Sequence, residues 1–249
     1  MRAMSFGAVA DDYDRLRPDP APAAVEWLLP ERRELLIDVA AGTGKLTRAL
    51  ARRSGRVLAE EPDGRMAAVL RSASPGIEVV SGLGEAIPVR DDCADGVFLS
   101  SAWHWMDPVR AVPEIARVLR DGGRFGLIWT SRDRHFGWIR ELDSLRDAAR
   151  ADVRAASAPR PLRNREVTLP EGSPFINIET ASFTYSRIMK PDDVVEMIGT
   201  YSRVITASDE DKALTLARVR SELDARFPGA SEIEVPIRSL CWRASRQRR

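Results

Sequence analysis

The chain has 249 residues, of which 44% are hydrophobic and 30% are charged, a composition typical of a globular protein with a sizeable core. Its 38 lysines and arginines nearly balance its 37 aspartates and glutamates, which argues against a nucleic-acid-binding protein and against attachment to an anionic membrane surface. The two cysteines have no metal-ligand spacing, so the sequence predicts neither a zinc site nor a disulfide framework.

The first two-thirds of the chain alternate between strand and helix signals. Short apolar runs predict buried strands at residues 35–39, 56–60, 77–81, 96–100 and 125–130. Helical patterns lie at residues 45–53, 65–71 and 109–120. Because such alternation produces right-handed crossovers between parallel strands, we expect an α/β, Rossmann-like sheet that is mostly parallel and has helices on both faces.

The rest of the chain follows a different pattern. It contains predicted helices at residues 137–156, 192–198 and 210–226, an irregular segment at 157–174, and predicted strands at 183–189 and 234–244, which bring the sheet to seven strands. We therefore expect residues 1–134 to form a cofactor-binding core with an N-terminal helical cap. Residues 135–249 would complete the same domain with a helical C-terminal insertion on the acceptor side and the last two strands.

A glycine-containing loop, residues 38–45 (DVAAGTGK), follows the first predicted strand. Glycines there allow the backbone to turn sharply and to approach a ligand. A phosphate-binding P-loop requires glycine at Val39 and serine or threonine at Leu46, so that class is excluded. A dinucleotide site requires a third glycine where Thr47 or Lys45 stands, which argues against an NAD or FAD site. An NAD-dependent oxidoreductase on a similar sheet stays the alternative. The loop alone also fits a plain turn from strand to helix.

Glu61 ends the second predicted strand, beside this loop, because the carboxyl ends of parallel strands share one edge of a sheet. An acidic side chain at that place can accept hydrogen bonds from both hydroxyls of a ribose. A solvated surface glutamate is the alternative. We expect Glu61 to bind the cofactor and to contribute little to the fold, since a carboxylate at a loop end packs little.

Four ordered segments resemble the class I S-adenosylmethionine-dependent methyltransferases: LLIDVAAGTGKLTRAL, AEEPDGRM, GEAIPVRDDCADGVFLSSAWHWMDP and RVLRDGGRFGLIW. Together with the opening SFGAVADDYDRLRP, they are similar to the small-molecule group that includes trans-aconitate methyltransferase-like proteins. The match covers about residues 5–131. It implies methyl transfer from S-adenosyl-L-methionine to a small-molecule acceptor, and a non-catalytic cofactor-binding protein on the same fold is an alternative.

The resemblance also implies the residues that contact the cofactor. They are Asp38, Ala40, Gly42, Gly44, Ser101 and Trp103 for the methionine part, Glu61 for the ribose, Pro62, Met66, Gly84 and Glu85 for the adenine, and Tyr13 as a lid. Leu83 stands where many relatives have an aspartate that accepts from the adenine amino group, and Glu85 would substitute for it. Core packing is the alternative role for Trp103 and Trp105, and a helix-face anchor is the alternative for Tyr13.

Methyl transfer from a sulfonium is an in-line displacement at a methyl group that is already activated, so the enzyme mainly orients and desolvates the reactants. His104 is the candidate general base, because an unperturbed imidazole has a pKa of about 6.5. A structural histidine is the alternative, and a carboxylate acceptor would need no base. His135 lies beyond the motifs and is not expected to act.

The acceptor pocket is expected to contain Trp105, Tyr185, Tyr201 and Arg203. An arginine facing that pocket would favour an anionic acceptor, because its fork binds a carboxylate at two points. Neither nucleic acid nor a membrane is expected as a partner. No apolar run is long enough to span a bilayer and the N-terminus lacks a signal-peptide core, so we expect a cytoplasmic protein.

Overall fold

The computed structural model describes residues 3–148 and 167–247, which form two compact units. The helical unit consists of Met1–Pro18, Ser131–Pro161 and Thr184–Arg238. The sheet unit consists of Asp19–Thr130, Leu162–Phe183 and Ser239–Arg249. The predicted boundary after residue 134 stays a prediction. Among the described residues, no helix combines the length and the apolar character needed to cross a membrane.

Seven strands form one sheet in the order β3-β2-β1-β4-β5-β7-β6. They are β1 (Leu36–Val39), β2 (Val57–Glu60), β3 (Glu78–Val80), β4 (Ala94–Ser100), β5 (Leu119–Arg132), β6 (Phe175–Met189) and β7 (Ile233–Arg246). The pairs β1–β2, β2–β3, β1–β4 and β4–β5 are all parallel. This topology confirms the predicted seven-stranded, mostly parallel α/β fold, and it brings the carboxyl ends of β1, β2 and β4 to one edge.

Local sequence signals explain where four of the helices begin. The helices are α1 (Ala10–Leu16), α2 (Pro22–Leu28), α3 (Lys45–Ala51), α4 (Gly64–Ala73), α5 (Pro108–Val118), α6 (Gly137–Ala148), α7 (Pro191–Gly199), α8 (Ser202–Ile205) and α9 (Asp209–Arg226). Asp63 and Asp107 cap α4 and α5 through side-chain oxygens that accept from Arg65 and Val109 N–H groups. Proline occupies the first turn of α2, α5 and α7, where its missing N–H costs nothing.

Each unit has its own hydrophobic core. In the sheet unit, the ring of Phe125 lies 5.5, 5.1 and 5.2 Å between centroids from the rings of Trp103, Phe175 and Trp242. The core of the helical unit gathers fully buried aliphatic side chains from α6, α7, α9 and β7: Ile139, Leu142, Val194, Ile198, Val219, Val235 and Ile237. Burial of these side chains is the main source of stability for each unit.

The structure differs from the sequence prediction at several places. The helix predicted at 109–120 ends at Val118, because Leu119 already pairs with Ala94 in the sheet. The strand predicted at 183–189 begins at Phe175, and α8 was not predicted. Strand β6 lies at the sheet edge with most of its side chains exposed, so its first half lacks an apolar alternation. Residues 149–156 of a predicted helix and 157–166 of the irregular segment lie outside the described residues.

Candidate cofactor site

The loop between β1 and α3 turns through three residues with positive φ: Ala40 at 51°, Gly42 at 60° and Gly44 at 88°. Glycine is required at position 44 for two reasons. Its φ lies in the left-handed region, and a Cβ there would lie 2.7 Å from Cγ of Leu70. At Gly42 a Cβ would lie 3.7 Å from the terminal methyl of Met66, so the glycine is required by its φ rather than by space. The loop therefore has one defined shape, with its backbone close to the first turn of α4.

Glu61 ties this loop to the start of α4. One carboxylate oxygen accepts the N–H of Gly42 at 2.7 Å, and the other accepts the N–H of Asp63 at 2.8 Å. The side chain is buried, with an exposed fraction of only 7%. Burial raises the pKa of Glu61, against the two N–H groups that lower it. The expectation that Glu61 contributes little to the fold is therefore wrong, because its carboxylate satisfies two backbone donors.

Glu60, the last residue of β2, is a site residue that the sequence prediction missed. It is fully buried, and one of its oxygens accepts the N–H of Ala40 at 3.1 Å. The other oxygen has no hydrogen-bond partner among the described residues. Burial raises the pKa of the Glu60 carboxyl to about 7. The pair of acids at the end of an apolar run was the available signal, but the sequence did not show that both of them turn inward.

Asp38, the next-to-last residue of β1, is also fully buried. One of its oxygens accepts the hydroxyl of Thr47 at 2.6 Å, while the other has no partner among the described residues. Burial raises the pKa of Asp38 to about 7, although the bond from Thr47 opposes the shift. Thr47, which stands in place of a third glycine, thus orients the carboxyl group of the first strand.

The loop after β3 carries the residues expected near the adenine. Gly84 is buried, and a Cβ there would collide with the side chain of Met106. Glu85 accepts the N–H of Asp107 at 2.9 Å, so one of its oxygens already holds the loop before α5. Leu83, where the resemblance implies an aspartate in many related enzymes, is 54% exposed. Pro62 and Met66 lie at the start of α4, half-buried and buried respectively.

The loop after β4 separates the two tryptophans that the sequence placed near the cofactor and the acceptor. Ser101 has a φ of 54° and donates its N–H to the carbonyl of Ile128 at 2.8 Å. Trp103 is buried against Phe125, which agrees with core packing, the alternative to a cofactor contact. Trp105 is 39% exposed, and its ring lies 4.5 Å from that of His104. Neighbouring atoms exclude water from part of the His104 ring, which lowers its pKa and keeps it neutral near pH 7.

The remaining predicted residues, Tyr13, Tyr185, Tyr201 and Arg203, belong to the helical unit. The ring of Tyr13 packs edge-on against Phe6 at 5.8 Å, and Tyr185 lies against the unit's core. Arg203 is directed to Asp147, with 3.7 Å between its Nε and a carboxylate oxygen. The guanidinium groups over the ring of Tyr201 are instead those of Arg17, Arg132 and Arg146, which the sequence prediction missed.

A buried aspartate orients His135, the histidine that the sequence prediction set aside. Asp133 lies 2.8 Å from Nδ1 of His135 and also accepts two bonds from the guanidinium of Arg238. These contacts lower the pKa of Asp133 to about 2 against the effect of its burial, so the carboxylate stays charged. An exposed imidazole held by a charged carboxylate is a second arrangement suited to a general base.

Comparison with known proteins decides the family. Residues 37–127 match the family model for the methyltransferase domain. An uncharacterized methyltransferase from Mycobacterium tuberculosis H37Rv is 38% identical over 248 residues, which cover 98% of this chain and 96% of the relative. The chain belongs to the class I S-adenosylmethionine-dependent methyltransferases. This assignment confirms the family and the activity expected from the sequence, and it sets aside the NAD-dependent oxidoreductase.

Two further proteins agree with this assignment. An uncharacterized methyltransferase from Schizosaccharomyces pombe is 28% identical over 229 residues, 90% of this methyltransferase and 87% of the relative. A solved structure from Anaeromyxobacter dehalogenans, a candidate type II methyltransferase, superposes with a TM-score of 0.68 and covers 93% of this chain and 97% of that one. At 22% identity, that structure supports the fold alone. The narrower resemblance to trans-aconitate methyltransferase-like proteins stays a prediction.

Proposed function

We propose that the sheet unit binds S-adenosyl-L-methionine at the carboxyl ends of β1, β2 and β4, and that the enzyme methylates a small-molecule acceptor. The observation that carries the proposal is the group of three buried carboxyls around the glycine loop, Asp38, Glu60 and Glu61. Two of them keep one oxygen without a partner among the described residues. Buried acceptors of this kind require donors or positive charge.

The chemistry of the cofactor fits that requirement. It carries an ammonium group, a positively charged sulfonium and two ribose hydroxyls, and it therefore supplies both donors and positive charge. Asp38 would accept from the ammonium group and Glu61 from the ribose hydroxyls, with Ala40, Gly42 and Gly44 allowing the backbone to approach. Pro62, Met66, Gly84 and Glu85 would surround the adenine, and Ser101 would lie at the methionine end. Trp103 would contribute indirectly, by packing against Phe125 in the core that supports this loop.

The chain's own residues have a limited task in the reaction. When bound, the cofactor supplies a methyl group activated by the sulfonium for in-line displacement. The protein positions the acceptor and keeps water out, and positioning alone can lower a barrier by roughly 7–11 kcal/mol. His104, neutral near pH 7, would take a proton from the acceptor where the acceptor carries one. Trp105 would line the acceptor side of this loop.

The test is calorimetric titration of the purified protein with S-adenosylmethionine, S-adenosylhomocysteine and NAD. Binding of the first two and not of NAD is the expected result, and binding of NAD alone would overturn the assignment. Methyl transfer is then measured as release of S-adenosylhomocysteine across a metabolite library. A protein that binds the cofactor and methylates nothing in that library would favour the non-catalytic alternative.

The matched variants for the titration are Glu61→Gln, which changes the proposed ribose acceptor, and Glu31→Gln, which changes an exposed glutamate of the same unit. The first should weaken binding of S-adenosylhomocysteine about tenfold or more, because a charge-assisted hydrogen bond contributes about 1.5–3 kcal/mol. The second should leave the affinity unchanged. Equal affinity in both variants would show that the ribose is held elsewhere.

A further inference from the structure

Three buried carboxyl groups lie at the strand ends of the sheet unit, and we call Asp38, Glu60 and Glu61 the acid cluster. Asp38 and Glu60 are fully buried, and Glu61 is buried almost as completely. They lie on neighbouring parallel strands, whose register pairs Val39 with Glu60. Like charges on adjacent strand ends without water are unfavourable, because each ionised carboxylate makes the next one harder to ionise.

No basic side chain balances the acid cluster. Among the described residues, its carboxyl oxygens accept only from the hydroxyl of Thr47 and from N–H groups of the backbone, and no lysine, arginine or histidine forms an ion pair with them. The basic side chains of the adjoining helix α3 have other partners. Lys45 lies 3.0 Å from a carboxylate oxygen of Asp19, and Arg48 donates to the carbonyl of Thr43 at 2.8 Å.

The other charged groups that face the acid cluster are acidic. Burial is the main cause that raises the pKa of Glu60, and the negative charges of Glu61 and Glu85 raise it further. Burial also raises the pKa of Glu61, and the charge of Asp63 adds to that rise. Arg65 is engaged with Asp63 at 3.0 Å. The surroundings of the cluster therefore supply more negative charge rather than compensation.

Unpartnered oxygens show what this arrangement requires. One carboxyl oxygen of Asp38 and one of Glu60 have no hydrogen-bond partner among the described residues. An ionised carboxylate with such an oxygen is costly in a buried setting, so the free protein favours the neutral carboxylic acid. Burial raises the pKa of both groups to about 7, and each is therefore about half protonated at pH 7.

We propose that the acid cluster exchanges protons for positive charge, so that Asp38 and Glu60 release their protons to solvent when S-adenosylmethionine binds. In each carboxyl group the O–H bond breaks, its electron pair stays on the carboxylate, and the proton passes to water or buffer. The inference rests on the proposed function, because the cofactor has to bind at these strand ends. S-adenosylhomocysteine lacks the sulfonium charge, so the cluster favours the methyl donor over its product.

Calorimetric titration of the full chain at pH 7 in phosphate and in Tris measures the exchange, because buffers of different ionisation enthalpy report the number of protons released. The wild type should release up to about one proton for each S-adenosylmethionine bound, since two half-protonated groups lose about half a proton each. Glu60→Gln keeps an oxygen that can accept the N–H of Ala40, and it should release at most about half as many protons. S-adenosylhomocysteine should release fewer protons from the wild type than S-adenosylmethionine does.

The pH dependence of the affinity is a second measurement. The bound state holds fewer protons than the free state, so the association constant should rise with pH. A group with a pKa of about 7 that loses its proton on binding makes that constant rise about fivefold between pH 6 and pH 7. The rise for S-adenosylmethionine should therefore be about fivefold smaller in Glu60→Gln than in the wild type, and any titration of the ligand itself cancels in this comparison.

Glu31→Gln, which changes an exposed glutamate of the same unit, is the matched control and should behave as the wild type does. Asp38→Asn removes the other titrating group and keeps the test valid where Glu60→Gln fails to fold. Binding of S-adenosylmethionine without proton release, or with equal release in the wild type and in each folded variant, would overturn the inference. Equal release with the two ligands would overturn the preference for the donor. A wild type that binds neither ligand would overturn the proposed function, on which the inference rests.

Discussion

Replacing Glu61 with alanine should weaken the fold as well as the proposed cofactor site. The carboxylate accepts the N–H groups of Gly42 and Asp63, and both bonds lie in a buried setting. A buried donor that loses its acceptor costs about 1–3 kcal/mol, so two such donors should lower the free energy of unfolding by roughly 2–6 kcal/mol. That loss is a large fraction of the roughly 5–15 kcal/mol by which a typical domain is stable.

Urea denaturation followed by far-ultraviolet circular dichroism measures this loss, with Glu31→Ala as the exposed control. Glu61→Gln should fall between the alanine variant and the wild type, because its amide keeps one oxygen as an acceptor. The reasoning would be refuted if Glu61→Ala and Glu31→Ala unfolded within about 0.5 kcal/mol of each other, the range of ordinary surface substitutions. The carboxylate would then not be holding the loop and α4 together.

Three other predictions follow from the same site and its neighbours. In thermal unfolding, Gly44→Ala should destabilise the protein more than Gly76→Ala. Both glycines have a positive φ, but only a Cβ at Gly44 would collide with Leu70. Equal losses of stability would show that the loop can shift to relieve that collision. His104→Asn should lower turnover about a hundredfold at saturating acceptor, while His135→Asn should leave it unchanged. The reverse result would identify His135, held by Asp133, as the general base. For Asp38 the folded-state pKa of about 7 lies above the unfolded value of about 3.9, so the folded state keeps a proton that the unfolded state has lost, and wild-type stability falls as pH rises through this window. The unfolding free energy of the wild type minus that of Asp38→Asn should therefore decrease by up to about 4 kcal/mol from pH 4 to pH 8, and a constant difference would contradict the raised pKa.

The sequence was sufficient wherever a signal is local. Apolar runs bounded by charges or glycines predicted β1, β2 and β4, and the glycines of the first loop predicted a tight turn that the positive φ values of Gly42 and Gly44 bear out. Alternation of strand and helix then predicted that these strands pair in parallel, which the structure confirms. These features depend on residues a few positions apart, and the physics of turns and buried strands applies to them directly.

Partners that are distant along the chain could not be predicted in this way. The guanidinium groups around Tyr201 come from three separate elements, and no periodicity connects Arg17 with Arg132 or Arg146. The sequence therefore favoured Arg203, two residues from Tyr201, which faces Asp147 instead. Glu60 was missed for a different reason: neighbouring strand residues normally point to opposite faces, and the sequence does not show that Glu60 and Glu61 both turn inward.

The net charge of the chain conceals local groups of buried ionisable side chains in each unit. The sheet unit buries three carboxyls, Asp38, Glu60 and Glu61, and burial raises the pKa of each of them. The helical unit gathers guanidinium groups around Tyr201 and buries Arg132, two of whose nitrogens have no hydrogen-bond partner among the described residues. A formal charge of +1 over the whole chain argues against polyanionic partners, while the three buried carboxyls of the sheet unit favour the cationic cofactor proposed to bind there.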